Sequence, residues 1–108
     1  MFLNQGEYNG IRLLSRTTVQ FMLSNQLGDL WANSDAGHGL GFRILNEKGQ
    51  NLGGQGSEGT FNWVGYFNTQ YFADPKEELI GIILKQTQKT SDATSWKFQV
   101  LAEQTIDD

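Results

Sequence analysis

The run Leu79-Ile80-Gly81-Ile82-Ile83-Leu84 carries no polar side chain. It is too short for an ordinary helix and rich in isoleucine, so it reads as a strand. Side chains of a strand alternate between the two faces of its sheet. Apolar residues at every position therefore ask for cover on both faces, which predicts a central strand with Ile82 buried. Gly81, in its middle, predicts a point where a neighbouring side chain packs into the space of a missing one.

The residues before this run organise themselves around it. Asp74-Pro75-Lys76-Glu77-Glu78 is a turn, with Pro75 pre-set for its first central position. Thr60–Gly65 and Thr69–Ala73 read as two strands joined through Tyr66-Phe67-Asn68. Leu40, Phe42 and Ile44 alternate with Gly41 and Arg43, which predicts another strand, followed by a turn at Glu47-Lys48-Gly49-Gln50. Asn51 to Gly59, with glycines at 53, 54, 56 and 59, is a loop or weak strand. Asp29 to Gly39 is an irregular polar loop containing Trp31 and His38.

Near the start, Asn9-Gly10 is a strong hairpin dipeptide. Ser15 has the form of an N-cap for an amphipathic helix over Arg16–Asn25, with Val19, Met22 and Leu23 inward and Gly28 at or beyond its end. Ser91 or Asp92 caps a last helix that lays Ala93, Trp96, Val100 and Leu101 on the sheet. Asp107 and Asp108 oppose its dipole and fray its end. The expected class is α+β: an antiparallel sheet of about five strands with a helix near each end. A high glycine count, 13, against a single proline agrees with sheet and tight turns.

The 108 residues correspond to one domain or part of one. A net charge of −4 without a basic cluster argues against nucleic-acid partners. The absence of cysteine removes disulfides and thiolate zinc sites. No apolar run approaches the roughly 20 residues that span a bilayer. Met1 to Gly6 is too short and polar for an export signal.

A search for chemistry finds no complete constellation. The serines at 15, 24, 34, 57, 91 and 95 lie in neither an S-x-x-K tetrapeptide nor a G-x-S-x-G elbow. His38, the one histidine, sits between glycines and reads first as a solvated strand-start residue. Glu77-Glu78 is a solvated hairpin tip, and Glu58 a turn residue. Asp29, Asp35 and His38 match no standard metal spacing. The glycine-rich "GGQGSEG" lacks G-K-[S/T] and does not open a helix, so it offers no phosphate loop. What stands out is Trp63-Val64-Gly65: an apolar wall beside a position where a ligand or backbone can approach closely.

The order "LLSRTTVQFMLSNQLGD", "HGLGFRI" and "GSEGTFNWVGYFNTQYFADPKEELIGIILKQ" resembles the C-terminal part of serine β-lactamase-like hydrolases. That superfamily includes class C β-lactamases, penicillin-binding proteins, D-aminopeptidases and esterases. The resemblance covers nearly the whole chain and implies that residues 1–108 are a single, partial C-terminal domain. It implies acyl-transfer hydrolysis of esters, β-lactams or D-amino-acid peptides in the parent, with no cofactor. Such proteins carry an S-x-x-K box, a Y-x-N or Y-x-S box and a third box of the K-T-G, H-x-G or W-G-G type. Only the third has a counterpart here, Trp63, Val64 and Gly65, as a wall of the substrate cleft. The following residue, Tyr66, is then expected to give a backbone N–H to the oxyanion hole. Val64 departs from the usual glycine or threonine, and Tyr66-Phe67-Asn68 is bulkier than usual.

The resemblance thus implies a fragment that is inactive alone, whose natural partner is the missing N-terminal part of a hydrolase. Two alternatives stand beside it. One is a standalone module that dimerises or binds a partner. The other is a small enzyme built on His38 and the carboxylates.

Overall fold

The computed structural model describes residues 1–30, 36–51, 55–88 and 93–106. The chain is α+β. A short hairpin pairs β1 (Glu7–Tyr8) with β2 (Ile11–Arg12). Asn9 and Gly10, with φ of 50° and 75°, supply the left-handed pair that a two-residue hairpin turn requires. Helix α1 (Arg16–Met22) follows, with Ser15 as its cap: Ser15 Oγ accepts from the Thr18 amide at 3.0 Å. Val19 is buried, whereas Met22 and Leu23 are half-buried.

Five antiparallel strands then run in chain order: β3 (Ala36–His38), β4 (Arg43–Leu45), β5 (Phe61–Val64), β6 (Gln70–Asp74) and β7 (Leu79–Ile83). A short helix α2 (Glu47–Asn51) lies between β4 and β5, and α3 (Ala93–Glu103) follows β7. The two expected strands around Tyr66-Phe67-Asn68 are β5 and β6. The Asp74-Pro75 turn joins β6 to β7.

Four expectations need correction. Leu40 does not belong to a strand. It sits in the two-residue loop that joins β3 to β4, where Gly41 takes φ 85° and Gly39 N–H donates to Phe42 O at 2.9 Å. The Leu40 amide is drawn to the end of α1, donating to Met22 O at 2.9 Å. The same hairpin takes in the end of the polar loop before it as β3, which makes His38 a strand residue. The turn expected at 47–50 is helix α2, because Asn46 caps it: Asn46 Oδ1 accepts from Gly49 N at 2.8 Å.

The third correction concerns the apolar run. It is a strand, but an edge strand, with Ile80 57%, Ile82 60% and Leu84 80% exposed. The chain leaves β7 for α3, which covers one face only. The fourth concerns α3 itself. It turns Ser95 and Gln99 inward and leaves Trp96 and Leu101 exposed. Polar partners explain this: Lys85 Nζ donates to Ser95 Oγ at 2.7 Å, and Gln99 Nε2 to Gln55 O at 3.3 Å. Trp31, Asp35, Ser91, Asp92, Asp107, Asp108 and residues 52–54 lie outside the described residues.

The core lies on both faces of the sheet. On one, Ile44, Phe61 and Ala73 are covered by Phe2, Leu3, Leu23 and Phe42. Phe2, Phe42 and Phe61 form an edge-to-face trio with centroids 4.9–6.1 Å apart. By register the same face continues through Trp63, Tyr71, Ile80 and Ile82. On the opposite face, Phe72 is buried against Phe98 of α3, with centroids 6.1 Å apart. Gly81 pairs with Phe72 across the ladder, and any side chain at Gly81 would overlap the Phe72 ring. The packing expected at Gly81 is therefore present, and its partner is Phe72.

Candidate functional site

Strand β5 has a different neighbour at each end. Its first half pairs with β4 through Ile44↔Phe61 and Arg43↔Asn62. Beyond Arg43, towards its start, β4 gives way to the Leu40–Gly41 loop, so among the described residues no strand residue pairs with Trp63 or Val64 on that side. On the other side they pair fully with β6, as Trp63↔Tyr71 and Val64↔Gln70. The hairpin closes with Gly65 N–H donating to Thr69 O at 2.8 Å and Asn68 N–H to Gly65 O at 3.0 Å. Since amides alternate in direction along a strand, the Val64 amide points to the open edge. Among the described residues, no acceptor is found for the Tyr66 N–H either.

The wall is apolar. Trp63, Val64, Gly65, Thr69, Tyr71, Ile82 and Leu84 border an open groove of about 330 Å³. Burial pushes the Tyr71 phenol above its ordinary value, so it stays a neutral hydroxyl near pH 7. Gly65 has a local reason to be glycine. The Thr69 hydroxyl occupies the space a side chain would need. Its bareness serves the closure of the hairpin first, and the groove only beside it.

The remaining candidate residues scatter. His38 comes to Trp63, with ring centroids 6.3 Å apart in an edge-to-face arrangement. Spacing gave no signal for this pair, because it depends on how the β3–β4 hairpin folds back. Asp29 and Glu58 are exposed, with Glu58 on the α1 side of the sheet. Glu77 and Glu78 lie in the β6–β7 turn, with Glu77 paired to Lys76 at 3.7 Å. No group of three metal-ligating side chains occurs among the described residues.

Sequence reasoning missed Asp74. It is fully buried, and its two carboxylate oxygens are both used. Oδ2 accepts from Ser57 N at 2.6 Å, and Oδ1 from Lys76 N at 2.9 Å and Glu77 N at 3.2 Å. Burial alone would push this carboxyl up, but the hydrogen bonds from Ser57, Glu77 and Lys76 outweigh it and hold it below the ordinary 3.8. The Asp-Pro-x-x turn was visible and accounts for two of these donors. Ser57, from the distant loop, was not.

No family model matches the chain. It is similar to two curated proteins of Mycobacterium tuberculosis, Protein Rv1367c and, in a second strain, the uncharacterized protein MT1414. Each is 32% identical over 99 residues, covering 80% of this chain and 24% of the relative. The chain thus spans about a quarter of the length of the curated relatives it matches.

Proposed function

We propose that the chain is the C-terminal part of a serine β-lactamase-like hydrolase and that Trp63, Val64, Gly65 and Tyr66 form one wall of its acyl-transfer cleft. The observation that supports this reading is the pair of free amides. Val64 and Tyr66 present N–H groups to an open strand edge, next to an apolar groove. A substrate carbonyl that reached Tyr66 N–H would find a preorganised donor, worth about 3 kcal/mol in the transition state where a nucleophile is present. The box-like order of the sequence and the much greater length of its relatives point the same way. The nucleophile and its base belong, on this reading, to the rest of the hydrolase.

Covalent labelling tests it. The isolated chain is expected to take up neither a fluorescent penicillin nor a fluorophosphonate. Full-length Rv1367c is expected to be labelled by a serine-directed probe. A chain that is labelled alone at one serine, or a full-length relative with no reactive serine, would sink the proposal.

The open outer edge of β7 favours a second reading, a module that pairs with its own copy. Among the described residues no strand covers this edge. The exposed Ile80, Ile82 and Leu84 lie along it, and unpaired apolar edges are templates for strand addition. Sedimentation equilibrium should then show a concentration-dependent dimer of the 12.1 kDa chain. Ile82→Lys should weaken it about tenfold or more. A monomer throughout the micromolar range would reject this reading.

A further inference from the structure

The face of the sheet under α3 has a polar pocket of its own. By register, Arg43 of β4, Asn62 and Val64 of β5 and Gln70 of β6 lie on the face that carries Phe72. Trp96 and Gln99, one turn apart on α3, complete the lining of a cavity of about 300 Å³. Trp63, Tyr71 and Ile82, which line the apolar groove, lie on the opposite face.

The first unusual feature of this pocket is Asn62. It is only 9% exposed, and among the described residues its side-chain amide makes no hydrogen bond. Buried polar side chains nearly always make one. A strand interior favours β-branched or aromatic residues, so packing gives no reason for the amide. Gln70 is half-buried and diagonal to Asn62 across the β5–β6 ladder. Its side chain makes no hydrogen bond among the described residues either.

The second feature is charge. Arg43 is the one ionised side chain on the lining, which carries no carboxylate, in a chain of net charge −4. Arg43 also interacts elsewhere in the chain, and a guanidinium has enough N–H donors to serve more than one acceptor. Arg43 and Asn62 are ladder partners, so their side chains stand next to each other and can hold one group together.

We propose that this pocket binds a small carboxylate with a flat apolar body. The carboxylate accepts from the Arg43 guanidinium and from the Asn62 side-chain NH₂, with Gln70 a further donor on the same lining. The body lies between Val64 and the Trp96 indole. A guanidinium matches a carboxylate through two parallel hydrogen bonds. One cation balances a monoanion, whereas a phosphate dianion would bring charge that nothing on the lining offsets. The volume stands at the lower end for ligand pockets and fits a one-ring ligand better than a peptide. The site is independent of the hydrolase reading and makes no use of the Val64 or Tyr66 amides.

Benzoate is the probe, and its neutral isostere benzamide the control. Benzoate titrated into the nitrogen-15-labelled 108-residue chain should give saturable NMR shifts at the Asn62 side-chain NH₂ and the Trp96 indole N–H. The Trp63 indole, on the other groove, should move little. Benzamide should bind about tenfold or more weakly. Arg43→Gln and Asn62→Ala should each weaken benzoate by about tenfold or more. Shifts that never saturate would overturn the proposal, as would shifts confined to Trp63 or equal binding of benzamide. Unchanged affinity in either variant would overturn it too. Benzoate and benzamide are compared on the unaltered chain, so that comparison decides the matter even where a variant does not fold.

Discussion

Replacing Asp74 with alanine is expected to remove about 3 kcal/mol of stability, a large part of the 5–15 kcal/mol typical of a domain. Three backbone amides lose their acceptor at once: Ser57, Lys76 and Glu77. The last two belong to a partly exposed turn that water can reach. Ser57 N–H is buried and carries most of the cost. Asp74→Asn should fall between wild type and alanine, since one oxygen remains but the new NH₂ faces a donor. Urea unfolding followed by tryptophan fluorescence measures the series. The pH dependence gives a second signature. A carboxyl held below its ordinary value stabilises the chain above pH 3.8, and this contribution is lost as pH falls through the lower folded value. The gap between wild type and Asp74→Ala should therefore close in strong acid. A gap that persists there would mean that alanine acts through packing, not through the carboxylate.

The other large effect is steric. Gly81→Val would drive a side chain into the ring of Phe72, which is 1% exposed and held from above by Phe98. The expected loss is about 2–3 kcal/mol from overpacking. Phe72→Ala alone should cost about 3–5 kcal/mol as a cavity. The two should not add: with the ring gone, valine at position 81 has room and refills part of the hole. A double-mutant cycle reads that coupling directly, and strict additivity would show that Gly81 is there for some reason other than Phe72.

Gly81 also shows how far a sequence can be read. Its role as a seat for a neighbour follows from a bare residue in an apolar strand; the partner, Phe72, emerges only with the strand register in the structure. The strand's place in the sheet did not follow. Local pattern reports how apolar a segment is, and it reports nothing about where its cover comes from. Ile80 and Ile82 have the composition of buried residues, and α3 covers the opposite face. The helix itself misled for a related reason. Trp96 and Leu101 are large apolar side chains left outside, because the inward face is set by Phe98 against Phe72 and by Ser95 and Gln99, whose hydrogen-bond partners are Lys85 and Gln55.

For the candidate wall, the strand and the hairpin turn after it were legible, because aromatic and β-branched residues end at a glycine. The open edge beside Val64 was not. It arises because β4 yields to a tight loop at Leu40–Gly41, and that loop depends on a hydrogen bond to Met22 O from a helix far back in the sequence. Asp74 illustrates the same limit: its turn is local, but the acceptor role that matters most is towards Ser57.

The strand order of the sheet is the order of the chain. Each strand from β4 onward docks against the one formed just before it, and no strand has to wait for a later one to be inserted between them. Except between β4 and β5, where α2 and the 55–60 loop intervene, each closure is short, which keeps its entropic cost low and favours rapid assembly. The exception is Phe2, which must return to Phe42 and Phe61 across most of the intervening chain. Seating of the first residues on the meander is thus a long-range closure, which costs more chain entropy than the short hairpins do.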